Sequence, residues 1–282
     1  MPQKLYILPF DHRSSFIKMF GFSEAKLTPL ETARLVDYKH IVYEGFLASL
    51  KMGAPKKSAA ILVDEQFGVK ILEEAKEAKI TRLLALEKSG QKEFDFEYGD
   101  AFQEHIEKFK PEYVKVLVKY NPAEDRAVNL RQLTKLKTVS DFCRKNKYKF
   151  LFELLTEPLS DVGTVQRSMQ QLQDSGIEPD IWKLEGLETS EEVKEIVKQA
   201  RIGGRKKVGV VILGRGESDD KVKNWLIVAA KIPGVVGFAV GRTVFKQALL
   251  DYNQETTNRE EAIRVIAKNY KSFVDLFENI KK

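Results

Sequence analysis

The sequence predicts an α/β protein, a (β/α)8 TIM barrel that spans residues 1–282 as one domain. Three observations carry that expectation. A single unit recurs along the chain: a short β-branched run, a polar residue at its end, then a stretch with the apolar spacing of an amphipathic helix. The unit can be counted eight times, where an open doubly wound sheet would use five or six strands. No low-complexity or Pro/Gly/Ser-rich linker divides the 282 residues, a length that one large α/β domain fills.

Taken in order, the first strand is expected at Leu5–Phe10. Residues Asp11 to Pro29 follow, and with Phe16, Met19, Phe20 and Phe22 they are too long and too apolar for a plain turn. They read equally well as a packed loop or short extra helix and as a cover over the barrel mouth. A helix over Glu31–Leu50 leads to strand Ala59–Val63, helix Phe67–Ala78 and strand Arg82–Leu86. Helix Tyr98–Phe109 precedes strand Tyr113–Val118, and helix Arg126–Asn146 precedes strand Lys149–Phe152. Helices Val165–Ser175, Ser190–Gln199 and Asp219–Lys231 alternate with strands Asp180–Leu184, Val208–Leu213 and Val235–Val240, and the chain closes in helix from Arg259 onward.

Composition removes several function classes. The formal charge is +6, which suits anions, nucleic acid or membrane surfaces. Acidic residues interleave with basic ones, however, and the densest basic cluster, Arg201 to Lys207, has no aromatic residue to stack a base, so no nucleic-acid partner is expected. No apolar run approaches the roughly 20 residues of a membrane span, and Leu5 to Phe10 is too short for a signal peptide, so no membrane association is expected and the protein is read as cytoplasmic. The single cysteine, Cys143, leaves no internal disulfide and is read as a core thiol. Trp225-Leu-Ile-Val and the aromatic residues of the last helix, Tyr270, Phe273 and Phe277, are read as core, although a homo-oligomer built on these outer helices is compatible with the sequence.

In a barrel of this kind chemistry belongs at the C-terminal ends of the strands. Asp11, His12 and Arg13 stand after strand one, Asp64 after two, Glu87 and Lys88 after three, and Lys119 after four. Glu153 lies on strand five, Lys183 and Glu185 on six, with Gly214 and Arg215 after seven and Gly241 and Arg242 after eight. Each alone is more simply a solvated strand cap; the conjunction at one rim carries the weight. Alternation turns Lys115, Leu117 and Lys119, then Leu151, Glu153 and Leu155, then Ile181, Lys183 and Glu185 toward the barrel interior. Buried ammonium groups are costly unless paired or neutral, and a lysine pushed toward neutrality is the group that condenses with a carbonyl. From the residues alone, the plainer account is two satisfied ion pairs, Lys115 with Glu185 and Lys183 with Glu153.

The stretches "LPFDHR", "AAILVDEQFG", "LLALEKSG", "VKVLVKYNP", "FLFELLT", "DIWKLEG", "VVILGRG" and "GFAVGRTVF" touch all eight strands. With them the chain resembles the class I aldolase family that includes tagatose-1,6-bisphosphate aldolase, and more closely the aldolase-type domain of bacterial inositol catabolism. The resemblance implies that Lys183 forms a Schiff base, that Glu153 is the acid/base and that Lys115 sits beside the imine. It further implies substrate or phosphate binding by Asp11, Arg13, Gly241 and Arg242. A positive Lys115 would disfavour protonation of Lys183, and Gly214 with Arg215 would add to a phosphate site at strands seven and eight. His12 replaces a glutamine of the tagatose-aldolase pattern, and "GRGESDD" replaces a longer loop. Both departures point to 2-deoxy-5-keto-gluconate 6-phosphate, cleaved to dihydroxyacetone phosphate and malonate semialdehyde, with His12, Lys88 or Lys119 facing its carboxylate. Tagatose 1,6-bisphosphate is the alternative, and a sugar-phosphate-binding barrel without turnover is the alternative of another class. No cofactor is expected. A metal-dependent route needs clustered histidines, yet only His12, His40 and His105 exist and the last two fall in helices; Gly214-Arg215-Gly216 lacks the third glycine of a dinucleotide motif.

Overall fold

The computed structural model describes residues 3–157 and 161–280. Eight parallel strands close on themselves in chain order: β1 (Leu5–Pro9), β2 (Ala59–Val63), β3 (Thr81–Ala85), β4 (Tyr113–Lys119), β5 (Lys149–Leu155), β6 (Ile181–Glu185), β7 (Gly209–Leu213) and β8 (Val235–Ala239). This is the (β/α)8 TIM barrel that the repeat of the sequence predicts. Strands buried on both faces explain the unbroken runs of Val, Ile and Leu. One face points outward: Tyr6, Val114, Phe150 and Trp182 meet the surrounding helices. The other fills the barrel with Ile7, Leu62, Leu83, Leu151, Ile181 and Val211.

The surrounding helices are α2 (Pro29–Lys51), α3 (Glu65–Glu77), α4 (Phe102–Phe109), α5 (Arg126–Asn146), α6 (Val162–Asp174), α7 (Ser190–Arg201) and α8 (Asp219–Ala230). Local chemistry starts several of them. Thr28 and Glu31 form a capping box with Pro29 at the first helical position, and Asp64, Asp125, Asp161, Thr189 and Ser218 each accept a first-turn N–H.

Three departures from the expected elements bear on the site. The segment after β1 contains a short helix, α1 (Ser14–Met19), whose Phe16 and Ile17 are buried. β5 runs on to Leu155 because its ladder with β4 continues to the pair Lys119 with Leu155. A helix not anticipated from the sequence, α9 (Arg242–Asn253), follows β8 directly. The closing helix α10 (Arg259–Ile280) packs against α8 and α2 and so takes the eighth place in the outer ring. Its Tyr270 hydroxyl donates to the Tyr6 carbonyl at 2.7 Å, and Phe277 packs on Tyr6 and Phe238. The aromatic residues of α10, together with Trp225 and Leu226, are therefore core, whereas Ile227 of the same stretch is exposed, which corrects its reading as core. Cys143 is core as well, and burial pushes its thiol up to about 12, which removes it as a nucleophile.

Candidate active site

Strand register builds the centre of the site. Glu153 pairs with Leu117 of β4 on one side and with Lys183 of β6 on the other, so its side chain shares an inward face with Lys183. The side chain of Lys115 rises from one level deeper on β4, at the register position of Leu151. The two ammonium groups meet at one carboxylate oxygen. Lys183 Nζ lies 2.7 Å and Lys115 Nζ 3.1 Å from Glu153 Oε2. Lys115 also donates to Asp11 Oδ2 at 2.7 Å and Glu87 Oε1 at 2.6 Å. Both lysines and all three carboxylates are buried.

Electrostatics separates the roles of these groups. Burial opposes a charge on Lys115, but Asp11, Glu153 and Glu87 outweigh it and raise its pKa, so this lysine is a permanent cation. Burial likewise opposes ionisation of Asp11 and Glu153. The facing Lys115 and Lys183 overcome that and hold both carboxyls below their ordinary range. Glu87 goes the other way: burial, assisted by the charge of Asp11, prevails over Lys115 and Arg13 and raises its pKa.

A cavity of about 480 Å³ opens above this centre, bordered by Asp11, His12, Arg13, Glu87, Lys88, Lys115, Lys119, Glu153, Lys183, Arg215 and Arg242. A smaller one of about 150 Å³ adjoins it and shares His12, Glu153, Lys183, Arg215 and Arg242, adding Gly214, Gly216, Gly241 and Thr243. Its wall is the start of α9, where Val244 N–H donates to the Gly241 carbonyl at 2.7 Å and the N–H groups of Arg242 and Thr243 come before the first intrahelical bond. Gly241 caps that helix where a side chain has no room: a Cβ there would lie 2.2 Å from the Pro9 carbonyl oxygen. Arg242 donates to the Arg215 carbonyl at 2.7 Å, and Arg215 itself takes a left-handed backbone conformation, φ 48°. The result is a concave patch of main chain with two guanidinium groups, the arrangement that receives a phosphate.

Thirteen of the fifteen residues singled out from the sequence border these cavities; Asp64 and Glu185 do not. Asp64 is fully buried, accepts the Phe67 N–H as the cap of α3 and pairs with Lys39 of α2. That corrects its assignment to substrate binding. Glu185 at the end of β6 pairs with Arg215 rather than with Lys115, and so positions the guanidinium. Lys115 instead finds Asp11, Glu87 and Glu153. Arg13 reaches the cavity wall, yet its guanidinium is engaged by Glu97 at 2.8 Å and by the Glu87 carbonyl, so it braces the rim. Lys119 and Arg215 both pair with Glu157, at 2.9 and 3.0 Å. His12 is corrected as a cationic contact for a carboxylate. Burial, aided by Arg242, Lys183 and Lys39, outweighs Asp11 and lowers its pKa to about 4, so the imidazole is neutral at pH 7.

Sequence reasoning passed over Ser14, Ser15 and Lys18 of α1, Ser89, Gly90 and Gln91 after β3, Glu157 and Thr243, all of which border the cavities. The first three sat in the segment after β1 that was read as loop or cover; it is a packed wall of the larger cavity. Thr243 could have been found from the apolar pairs Val244–Phe245 and Ala248–Leu249, whose spacing marks α9 as a helix.

The closed barrel and the ring of ionisable groups at the C-terminal rim define the class of protein: a TIM barrel with a site where such barrels carry theirs. The chain belongs to the family described as "Uncharacterized protein conserved in bacteria (DUF2090)", whose model matches residues 1–281. No curated protein matches it in sequence. Among solved structures it is similar to fructose-bisphosphate aldolase from Plasmodium falciparum, at 14% identity and a TM-score of 0.71, covering 99% of this chain and 92% of that one. An archaeal fructose 1,6-bisphosphate aldolase is similar at 14% identity and a TM-score of 0.64, covering 98% and 94%. Fructose-bisphosphate aldolase from Slackia heliotrinireducens is similar at 11% identity and a TM-score of 0.57, covering 93% and 85%. At such identities these likenesses concern the fold.

Proposed function

We propose that the chain is a metal-independent class I aldolase that cleaves a phosphorylated ketose or keto-sugar acid through a Schiff base on Lys183. The observation that carries the reading is the contact of Lys183 Nζ with Glu153 Oε2, 2.7 Å, at the wall of a cavity large enough for a sugar phosphate. Lys183 passes a proton to Glu153, and the free amine attacks the ketone carbon; the carbonyl oxygen leaves as water with protons returned by the carboxylates. In the imine so formed, a carboxylate takes the proton of the hydroxyl on the far carbon of the bond to be broken, the second carbon from the imine. That carbon–carbon bond breaks, its electron pair moves into the imine to give an enamine, and the aldehyde departs. Protonation of the enamine carbon and hydrolysis then free the ketone and Lys183. Lys115, held as a cation, keeps Glu153 and Asp11 ionised between steps.

The phosphate belongs at Gly214, Gly241, Arg215 and Arg242 beside the start of α9. A second cationic area, Lys18 and Lys88 with the hydroxyls of Ser14 and Ser89, lies at the β1 and β3 side of the larger cavity. It favours a substrate with an anion at both ends. 2-Deoxy-5-keto-gluconate 6-phosphate, with its carboxylate at Lys18 and Lys88, is the substrate we favour, giving dihydroxyacetone phosphate and malonate semialdehyde. Tagatose 1,6-bisphosphate would place its second phosphate on the same groups.

Borohydride reduction in the presence of dihydroxyacetone phosphate is the test. The wild-type protein is expected to gain a stable adduct that peptide mass mapping locates on Lys183, with Lys183→Met forming none and a chelator making no difference. A wild-type protein that binds the ligand without an adduct would be a sugar-phosphate binder, not an aldolase.

A further inference from the structure

The cleavage steps above leave a fully buried ion pair without a task. Lys39 of α2 and Asp64, the cap of α3, are both enclosed and face each other. The other oxygen of Asp64 accepts the Phe67 N–H, and Lys39 Nζ lies 5.2 and 5.3 Å from the ring centres of Phe16 and Phe67. A pair so placed is a poor source of stability, because desolvation of both charges offsets their attraction and an apolar pair of similar volume does as well. A third contact gives it a use: Lys39 Nζ donates to the His12 carbonyl at 3.0 Å.

That carbonyl lies in the stretch that carries Asp11 into the site. The β1 ladder is prolonged by Phe10 N–H on the Leu62 carbonyl, 2.9 Å, and α1 begins with Ile17 N–H on the Arg13 carbonyl, 2.9 Å. Between those two bonds the main chain of residues 11 to 13 makes one further hydrogen bond among the described residues, the one that Lys39 supplies. From this stretch Asp11 reaches Lys115 at 2.7 Å across the barrel, and Arg13 braces Glu97 and the Glu87 carbonyl. A shift of about 1 Å in groups that hold a reacting centre can cost about 10²-fold in rate.

We infer that Lys39 is a positioning residue: by donating to the His12 carbonyl it fixes the main chain that sets Asp11 against Lys115 in the reactive centre. The consequence for the reaction rests on the Schiff-base reading; the hold on the main chain does not.

The test compares Asp64→Asn with a chain that carries both Asp64→Asn and Lys39→Met. In Asp64→Asn the amide oxygen keeps the cap on Phe67 N–H, and Lys39, whose pKa burial already lowers, can drop its proton and still donate to His12. In the double variant methionine fills the space beside Phe16 and Phe67, and the donor is gone. Two measurements read the difference. Exchange of a carbon-bound hydrogen of dihydroxyacetone phosphate for solvent deuterium, which follows enamine formation, gives kcat and KM by proton NMR. Amide hydrogen exchange of the peptide over residues 10–17 reads the main chain directly. Asp64→Asn is expected to keep kcat within about threefold of wild type, whereas the double variant should lose about 10- to 100-fold. Its KM and its affinity for inorganic phosphate should stay within about threefold, since the proposed phosphate site lies on the opposite wall at β7 and β8. Its 10–17 amides should exchange at least about tenfold faster than those of Asp64→Asn, at a similar urea midpoint. Lys39→Leu with Asp64→Asn serves if the methionine variant does not fold, and failure of both to fold would make the pair structural and overturn the assignment. Equal kcat in the two chains, a loss in KM or phosphate affinity in place of kcat, or unchanged amide exchange would also overturn it. A wild type with neither deuterium uptake nor a borohydride adduct would remove the Schiff base, and the amide exchange would then decide alone for Lys39.

Discussion

Lys115 shows how one side chain organises the centre. Its ammonium contacts Asp11, Glu87 and Glu153 inside the barrel, and removing one partner of a buried charge network leaves the others uncompensated. Lys115→Met is therefore expected to lose about 3–5 kcal/mol of stability at neutral pH, measured by urea denaturation. The pH dependence has a definite sign. Asp11 and Glu153 have folded pKa values below their ordinary ones, so the stability they contribute is present above about pH 4 and is lost as pH falls through the depressed values. The gap between variant and wild type should hold from pH 7 down to about 4 and narrow below it, and a gap that stays constant there would assign the loss to packing instead. The alternation of β4, β5 and β6 was enough to turn Lys115, Glu153 and Lys183 inward. It did not reveal which acid each lysine meets, because Asp11 comes from β1 across the barrel and Glu87 stands beyond the end of the neighbouring β3, whereas Glu185 turned to Arg215 on β7's loop.

At the scale of the element, α9 walls the smaller cavity, where we propose that the phosphate binds. Gly241 and Arg242 are visible in the sequence as the residues after β8, but the helix they begin carries no side-chain cap at its start to mark it. The close approach of β1 to Gly241 lets the helix start at the rim, and its first N–H groups together with Arg242 and Arg215 form the anion site that we propose. Arg242→Ala is expected to weaken binding of inorganic phosphate by about tenfold, the loss of one charge-assisted contact. Calorimetric titration checks this, and an unchanged affinity would move the anion site to the pole of Lys18 and Lys88. The short helix α1 makes the same point. Its aromatic residues were read correctly as too apolar for a turn, yet only their packing against Phe245 and Tyr38 of other helices makes the segment a wall of the cavity.

For the whole molecule, the outer ring is closed by the last 22 residues described, α10. Ile266, Tyr270, Phe273 and Phe277 are buried against β1, β8 and α2, each contributing about 1.5–3 kcal/mol, which together compares with the entire 5–15 kcal/mol stability of a typical domain. A chain ending before Arg259 is expected to lose cooperative unfolding and its near-UV circular dichroism; a sharp urea transition in that variant would show that the barrel closes without it. The sequence by itself determined the number of strands, their parallel order, the face of each strand that looks inward and the rim on which the ionisable residues gather. Those features follow from period and burial, which are local properties of a chain. Only the tertiary structure decided that Lys115 serves three carboxylates, that Asp64 is withdrawn beneath α3, that His12 is neutral and that α9 walls the smaller cavity. Each of these depends on which residues far apart in the chain share a desolvated space, and charge, pairing and proton affinity are set by that neighbourhood and not by spacing along the backbone.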